Sequence, residues 1–554
     1  MGNNNAYNSI FIFQTRRIGD FFQSIPLIEA LASPGGTGTK NIGILIDESI
    51  YNIKNIFNAG ITFFTYESLL KSHGISSESL SRFYLFLSDF TSKYELAVNL
   101  NYDFTNSLFL SFFKEQKRGF IALDKSSKTV GAISKSAAAN YLFNIVKNRG
   151  LNRINIVDIY SLIGNEKPAE IKSLYDIISL KKQVKNKKRL TDGEPLRICI
   201  SIGATHPKRV WQSKNYANLI KLLSENLHCE IILVGTAEES SAAEEIKKNL
   251  PPGVNIIDLT GKTNLNELIY LIKDFDIIIA SDTGTLHIAQ IFNVPSVSVF
   301  TGNANFYETG PHIENSYVIY SKIKCYPCLQ SETCRFNYAC KNDINPENVF
   351  DLVLLQVIKN KLYPACKNGR IRLSDIKKRI NTNVKKGNFS VAVCKHTDSI
   401  HFYPIHKPKI NKNELASEIL KFCWLNVLSK NNVTIDKNIV LRYTIKYYKI
   451  DGKSANFLNR EISFVKNVFE NGLKSFGGEE RESLYFEKFQ DAVKSLGLNY
   501  GYLKLACDYF MDELNSSGVQ KSFDDIILLL GNALNILQMF KKNNSENDNK
   551  SIIF

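Results

Sequence analysis

Nowhere in the 554 residues do about eighteen apolar residues run without interruption, so no membrane-spanning helix is expected. The opening stretch, MGNNNAYNSIFIFQTRRIGD, has no basic region ahead of its short apolar run and no small-residue cleavage pattern, which argues against a secretory signal. Ten cysteines are too few and too scattered to staple a chain of this length, which points to a reducing compartment. These absences give a cytoplasmic protein, with a peripheral place on the inner face of the cytoplasmic membrane as the accompanying reading. The sequence has no G-x-G-x-x-G and no G-x-x-x-x-G-K-[ST], which disfavours a nicotinamide enzyme and a phosphate-loop NTPase. Aromatic and basic residues do not interleave as they would on a nucleic-acid-binding surface, so nucleic acid is not expected as a partner. What remains is an excess of cations, a net charge of +15, which suits phosphorylated substrates or an anionic membrane.

The length favours two or three domains. Apolar runs at Ser9–Gln14, Ile42–Ile46, Ile61–Thr65, Leu96–Leu100 and Phe120–Leu123 read as strands with helical patterns between them. The alternation resumes at Leu196–Ile202, Glu230–Val234, Asn255–Leu259, Asp276–Ala280 and Pro295–Phe300. Alternation of this kind gives an α/β fold, with parallel doubly wound sheets that bind ligands beyond the carboxyl ends of their strands. The basic run KKQVKNKKR, Lys181–Arg189, reads as a solvated linker. After about residue 365 helical patterns dominate, apart from a short strand at Phe389–Lys395, and the polar end from Lys541 reads as frayed.

Four strand-end loops carry candidate chemistry. Ser281-Asp282-Thr283-Gly284-Thr285-Leu286-His287 passes from a buried strand straight into a helix, so its N–H groups and the positive end of the helix dipole suit a phosphate. The competing reading is a plain helix cap. Gly203-Ala204-Thr205-His206-Pro207-Lys208-Arg209 offers a hydroxyl and two cations, which suit a diphosphate, or else two surface charges. Glu238 and Glu239, after Val234, could accept from a ribose diol or favour a helix start. In Thr15–Asp20, the Asp20 carboxylate is a helix cap or a catalytic base.

In combination and in order, RRIGDFFQSIP (Arg16–Pro26), GATHPKRVW (Gly203–Trp211), DLTGKTNLNEL (Asp258–Leu268), SDTGTLHIAQIFNVPSVSVF (Ser281–Phe300) and FYETGP (Phe306–Pro311) resemble the ADP-heptose:lipopolysaccharide heptosyltransferases, glycosyltransferase family 9, over roughly residues 8–360. The resemblance implies a GT-B fold, two Rossmann-like domains facing a cleft. An N-terminal domain (1–180) would take the acceptor, and after a linker (181–195) a second domain (196–360) would take the nucleotide sugar. A helical accessory domain (365–540) and a flexible tail (541–554) have no counterpart in the family pattern, and the extra helices suit homo-oligomerisation or partner docking. Asp20 falls at the family's catalytic aspartate, a general base on the acceptor hydroxyl, with Arg16 and Arg17 on the acceptor side. Thr205, Arg209, Thr283 and Gly284 fall at its diphosphate contacts, with Lys208 adjacent. The family's usual cation there is lysine, so Arg209 is a departure. Glu239, or in second place Glu238, would hold the ribose. Asp282 would meet the donor sugar and His287 would line the same pocket, unless it is a core histidine.

The implied reaction is inverting transfer of heptose from ADP-heptose to the lipopolysaccharide core. No cofactor is required, and no D-x-D motif is placed to hold a metal at a nucleotide sugar. The rival readings are the same chemistry on a protein or another surface glycan, and a non-catalytic nucleotide-sugar-binding assembly factor. Cys325-x2-Cys328-x5-Cys334-x5-Cys340 is the one dense group of cysteines and suits a structural zinc or iron, or else a loop of free thiols. Within the family, a subgroup acting on autotransporter proteins holds iron in this region.

Overall fold

The computed structural model describes residues 7–32, 41–71, 80–122, 133–172, 175–180, 194–362, 366–367, 372–396, 399–430, 440, 444, 446, 448–449, 452–476, 483–516 and 519–547. Most of the expected basic linker, 181–193, and the end of the expected tail, 548–554, lie outside these residues. The strands among them are β1 (Ser9–Gln14), β2 (Asn41–Ile46), β3 (Ile61–Phe64), β4 (Leu96–Asn99), β5 (Gln116–Ala122), β6 (Ile133–Lys135), β7 (Leu196–Ser201), β8 (Cys229–Val234), β9 (Ile257–Asp258), β10 (Ile277–Ala280), β11 (Ser296–Phe300), β12 (Tyr317–Ser321), β13 (Phe389–His396) and β14 (Ile400–Pro404). The chain divides into two compact units, Met1–Phe13 with Ile75–Ala169 and Lys407–Phe554, and Gln14–Gly74 with Glu170–His406.

In the first unit β1, β4 and β5 run parallel, and β6 closes on β5 antiparallel. Strand β1 is buried at every position, as a strand covered on both faces must be. Phe11 and Phe13 meet Phe109 and Phe113 at ring separations of 5.4–6.3 Å, mostly edge-on or tilted. Strand β5 begins four residues before the expected Phe120, because Lys117 and Arg118 hide its start from an apolar pattern.

The C-terminal helices do not stand apart as the accessory domain their composition suggests. Asn140, Asn144 and Asn148, spaced by four, present one row of amides. Their Nδ2 atoms donate to Tyr509 O (3.1 Å), Asp512 Oδ2 (2.9 Å) and Asp508 Oδ2 (2.8 Å) on the helix Lys504–Ser516. Trp424, on the helix Lys412–Leu428, packs edge-on between Tyr141 and Tyr509 at 5.1 and 4.9 Å. Arg153 Nε meets Glu418 Oε1 at 3.3 Å with both side chains largely buried. The last helix, Val519–Asn547, runs past the expected fraying point at Lys541, since residues 541–547 contain neither proline nor glycine to end it.

In the second unit β2 and β3 pair in parallel. The large sheet has the order β14-β13-β12-β11-β10-β7-β8-β9, parallel from β9 to β12 and antiparallel at β13 and β14. The unit therefore extends beyond the boundary expected near residue 360. The helix Leu373–Lys386 buries Ile376, Ile380 and Val384 at four-residue spacing against the same core, and its Arg379 bonds Asp351. The change in composition after 365 marks an antiparallel edge rather than a new domain. The order reverses between β7 and β10, the point at which doubly wound sheets hold their ligands.

Trp424 supplies a large apolar contact between the C-terminal helices and the helix Ala137–Ile145. Trp424→Ala should lower the unfolding free energy of the first unit by about 3–5 kcal/mol, measured by urea denaturation. A loss below about 1 kcal/mol would mean that the helices are merely appended.

Candidate active site

The carboxyl ends of β7 and β10 flank the point of reversal, and the loops that follow them carry the expected residues. After β7 the chain passes Gly203, exposed Thr205 and the short turn Pro207–Arg209. His206 precedes that turn, and its Nδ1 accepts from Lys208 N at 3.2 Å. Burial, with Lys208, Arg209, Arg17 and Lys341 around it, holds the pKa of His206 below its usual value. The loop is electropositive, as an anionic ligand requires.

Neighbouring residues on the turn face different ways. Arg209 is buried, and its Nη1 donates to Asp282 Oδ2 at 2.7 Å and its Nε to Asn303 Oδ1 at 3.1 Å. Lys208 faces away from Arg209's partners. Its ammonium donates to the carbonyls of Leu329 and Gln330 at 3.1 and 3.2 Å, and to that of Glu332, so it ties the turn to the cysteine-bearing segment. Arg209 is committed first to Asp282, which limits its guanidinium to a shared grip on any phosphate.

Asp282 is the centre of the site. Burial acts most strongly on it and would raise its pKa, but the Arg209 charge, His287 and the Thr309 hydroxyl outweigh burial and hold it below the usual carboxylate value. His287 Nε2 lies 3.5 Å from Asp282 Oδ1. Thr283 caps the helix Gly284–Ile291, its hydroxyl accepting from Thr285 N at 3.2 Å, so the cap reading and the phosphate reading apply to one turn.

Asp20 is the third residue of the helix Ile18–Ala32. This helix start and that of Gly284–Ile291 meet at two glycines. A methyl group at Gly19 would lie 2.9 Å from His287 Cδ2, and one at Gly284 would lie 2.9 Å from Ile18 Cγ2. The close approach sets half-buried Asp20 in the field of His287 and Asp282. Burial raises its pKa most, and Asp282 adds to the rise. His287, Arg17 and Arg16 pull the other way, and the net shift is upward.

Glu239 sits beyond β8, and its Oε2 accepts from Thr236 N (2.5 Å) and the Thr236 hydroxyl (2.6 Å). Its carboxylate lies over Gly203, where a Cβ would come within 2.4 Å of it. Glu239 is thus a capping residue that also reaches the end of β7. Glu238 bonds the Thr236 hydroxyl.

Cys325, Cys328, Cys334 and Cys340 line one cavity of about 230 Å³ with Lys208 and Tyr338. The donor set is right for zinc or iron, yet among the described residues no three His, Cys, Asp or Glu side chains are gathered so that they could hold an ion. The expected structural metal therefore does not fit this arrangement. Burial raises the pKa of Cys325, Cys328 and Cys340, whereas N–H groups of Tyr338 and Phe336 lower that of Cys334.

Sequence reasoning missed Asn303 and Lys341, and it quoted the FYETGP motif without singling out Thr309 within it. Asn303 follows β11, and the strand-end rule that found the other loops would have found it. Lys341 Nζ donates to Pro207 O at 2.8 Å, which no spacing announces.

Residues 91–339 match the family described as glycosyltransferase family 9 (heptosyltransferase). The chain is 25% identical over 142 residues to lipooligosaccharide heptosyltransferase 2 of Campylobacter jejuni, covering 26% of this chain and 44% of the relative. It is 32% identical over 96 residues to the Haemophilus influenzae protein of the same name, 17% of this chain and 28% of the relative. The chain thus spans under half the length of these curated relatives. Among solved structures, ADP-heptose lps heptosyltransferase II of E. coli superposes with a TM-score of 0.43 at 17% identity, over 64% of this chain and 99% of that one. No described helix is long and apolar enough to cross a membrane.

Removing Arg209 leaves the Asp282 carboxylate buried without its main counter-charge. Arg209→Met should cost about 3–5 kcal/mol at neutral pH by urea unfolding. The Asp282 pKa is depressed in the fold, so the stability it contributes is present at neutral pH and lost as pH falls through the carboxylate range. The deficit of the variant should therefore shrink on acidification, and a deficit independent of pH would refute the assignment.

Proposed function

We propose, from the match of residues 91–339 to glycosyltransferase family 9 (heptosyltransferase), that the chain is an inverting glycosyltransferase that moves heptose from ADP-heptose to a hydroxyl of the lipopolysaccharide core. One observation carries this reading: Asp20, at the start of its helix, is packed by Gly19 and Gly284 against the Asp282–His287 pair and a capped helix N-terminus. A base and an anion-binding turn thereby share one place.

The acceptor hydroxyl oxygen attacks the anomeric carbon of the donor. The bond from that carbon to the diphosphate breaks, and ADP leaves with the electron pair from the opposite face, so the configuration inverts. Asp20 takes the hydroxyl proton as the new bond forms. Negative charge grows on the departing diphosphate. The N–H groups at Thr283–Gly284, with the cations Arg17, Arg209 and Lys341 around His206, oppose that charge. Asp282 stays ionised beside His287 and is placed to accept a hydroxyl of the donor sugar. The Glu239 carboxylate, anchored through Oε2 to Thr236, has Oε1 to offer a ribose diol. Arg16 and Arg17 are exposed on the acceptor side, where they suit an anionic acceptor. This reading suits a protein of the cytoplasm or the inner membrane face, where nucleotide sugars and lipid-linked acceptors meet.

Turnover of ADP-heptose on a lipopolysaccharide-core acceptor tests the reading. Asp20→Asn should lower kcat roughly 10²–10⁴-fold while ADP still binds. Unchanged turnover would remove Asp20 from the mechanism, and release of ADP only with a polypeptide acceptor would move the substrate to protein.

The pH profile is a second test. Asp20 works ionised and its pKa is raised, so kcat should fall on acidification from a pH above the ordinary aspartate value of about 3.9. Arg17→Ala removes a charge that lowers this pKa, so the acid limb should move further up. A limb that stays in place or moves down would show that Asp20 does not set it.

A further inference from the structure

The first unit contains a cavity of about 350 Å³ that shares no residue with the site above. Lys117 and Arg118 line it from the start of β5, and Lys430 lines it from just beyond the helix Lys412–Leu428. Glu166 is the one acidic side chain among the lining residues. Its Oε1 lies 2.5 Å from Lys430 Nζ and 3.8 Å from Arg118 Nη2. Arg118 and Lys430 thus share one carboxylate, while Lys117 Nζ donates to Ser111 O at 3.5 Å, so three cations on the wall face a single carboxylate and the lining is positive. Arg118 is fixed in place by donation from Nη1 to Gly164 O at 2.5 Å. Ser136 stands at the start of the helix Ala137–Ile145, also on the wall. Its hydroxyl oxygen is buried, makes no capping bond and has no hydrogen-bond partner among the described residues. A buried hydroxyl beside cations that outnumber their carboxylate is a donor without its acceptor.

The remaining wall is apolar, from Ala138, Leu162, Ile163 and Leu428. The volume lies within the range of about 300–1,000 Å³ usual for small-molecule sites. The cavity also opens at the amino end of β5, whereas doubly wound sheets take their substrates at the carboxyl ends. We propose that this cavity binds a phosphorylated sugar, with the phosphate held by Lys117, Arg118, Lys430 and the Ser136 hydroxyl and the C–H face of the ring on the apolar wall. The proposal is independent of the transfer reaction. It gives the C-terminal helices a role, since Leu428 and Lys430 complete the cavity.

Calorimetric titration of the full-length protein with glucose 6-phosphate, under saturating ADP to occupy the nucleotide site, tests this. Binding of one equivalent is expected. Lys117→Gln with Lys430→Gln should weaken it at least tenfold, with the circular dichroism unchanged. Glu166→Gln should tighten it, because a competing carboxylate is gone. Inorganic phosphate and glucose should each bind more weakly than the sugar phosphate. Failure of glucose 6-phosphate to bind, or equal binding by the double variant, would overturn the proposal. Binding of inorganic phosphate as tight as that of glucose 6-phosphate would overturn the sugar assignment. Capture of phosphatidic acid vesicles through Lys117 and Lys430, without binding of glucose 6-phosphate, would assign the cations to a lipid headgroup instead.

Discussion

The ion pair between Arg209 and Asp282 is the constraint that the candidate site is built around. Both side chains are withdrawn from water, at 10% and 5% exposure. Withdrawing an ion costs several kcal/mol, and the pair persists only with good geometry and further hydrogen bonds. The 2.7 Å contact, Asn303 on the guanidinium, and His287 and Thr309 on the carboxylate supply them. Arg209, Asp282 and Asn303 follow β7, β10 and β11 respectively, so one network ties three adjacent strand ends on either side of the point of reversal. Because the guanidinium is engaged there, the positive potential offered to a ligand comes from a group of cations and a helix terminus rather than from a single anchoring side chain.

Glycine has a second, steric part in the site. Gly19 and Gly284 lie where two helix starts touch, and each faces a side chain of the other helix at a distance that no Cβ could share comfortably. Gly203 gives way to the Glu239 carboxylate in the same manner, and Gly302, at φ +62°, lies against the carbonyl of Lys208. At these positions the missing side chain lets a functional group come closer than helix and loop packing otherwise permits.

The loops that carry chemistry were legible in the sequence because they follow strands, and strands announce themselves by short apolar runs. Asp20, Asp282, Thr283, Gly284 and His287 were found this way, and the structure gathers them. The partners of Lys208 were not legible, because consecutive residues on a tight turn leave it in different directions, and its ammonium finds three carbonyls about 120 residues further on. Domain limits were legible only in part. The composition shifts after residue 365, but β13 and β14 continue the existing sheet, and the later helices join a unit that begins far upstream. Long-range assembly leaves little trace in local pattern, since the asparagines at 140, 144 and 148 look like any polar helix face until their partners are known.

That row of asparagines bears on biosynthesis. Residues 75–169 share a compact unit with residues that follow 407, so about 240 residues separate the two halves in the chain. At a synthesis rate of roughly 5–20 residues per second, the earlier half waits roughly 10–50 s on the ribosome for its other half. During that interval Tyr141 and the amides beside it face solvent uncovered, which makes the nascent chain a natural client for a holding chaperone and makes early termination after the sheet-forming segments a route to aggregation.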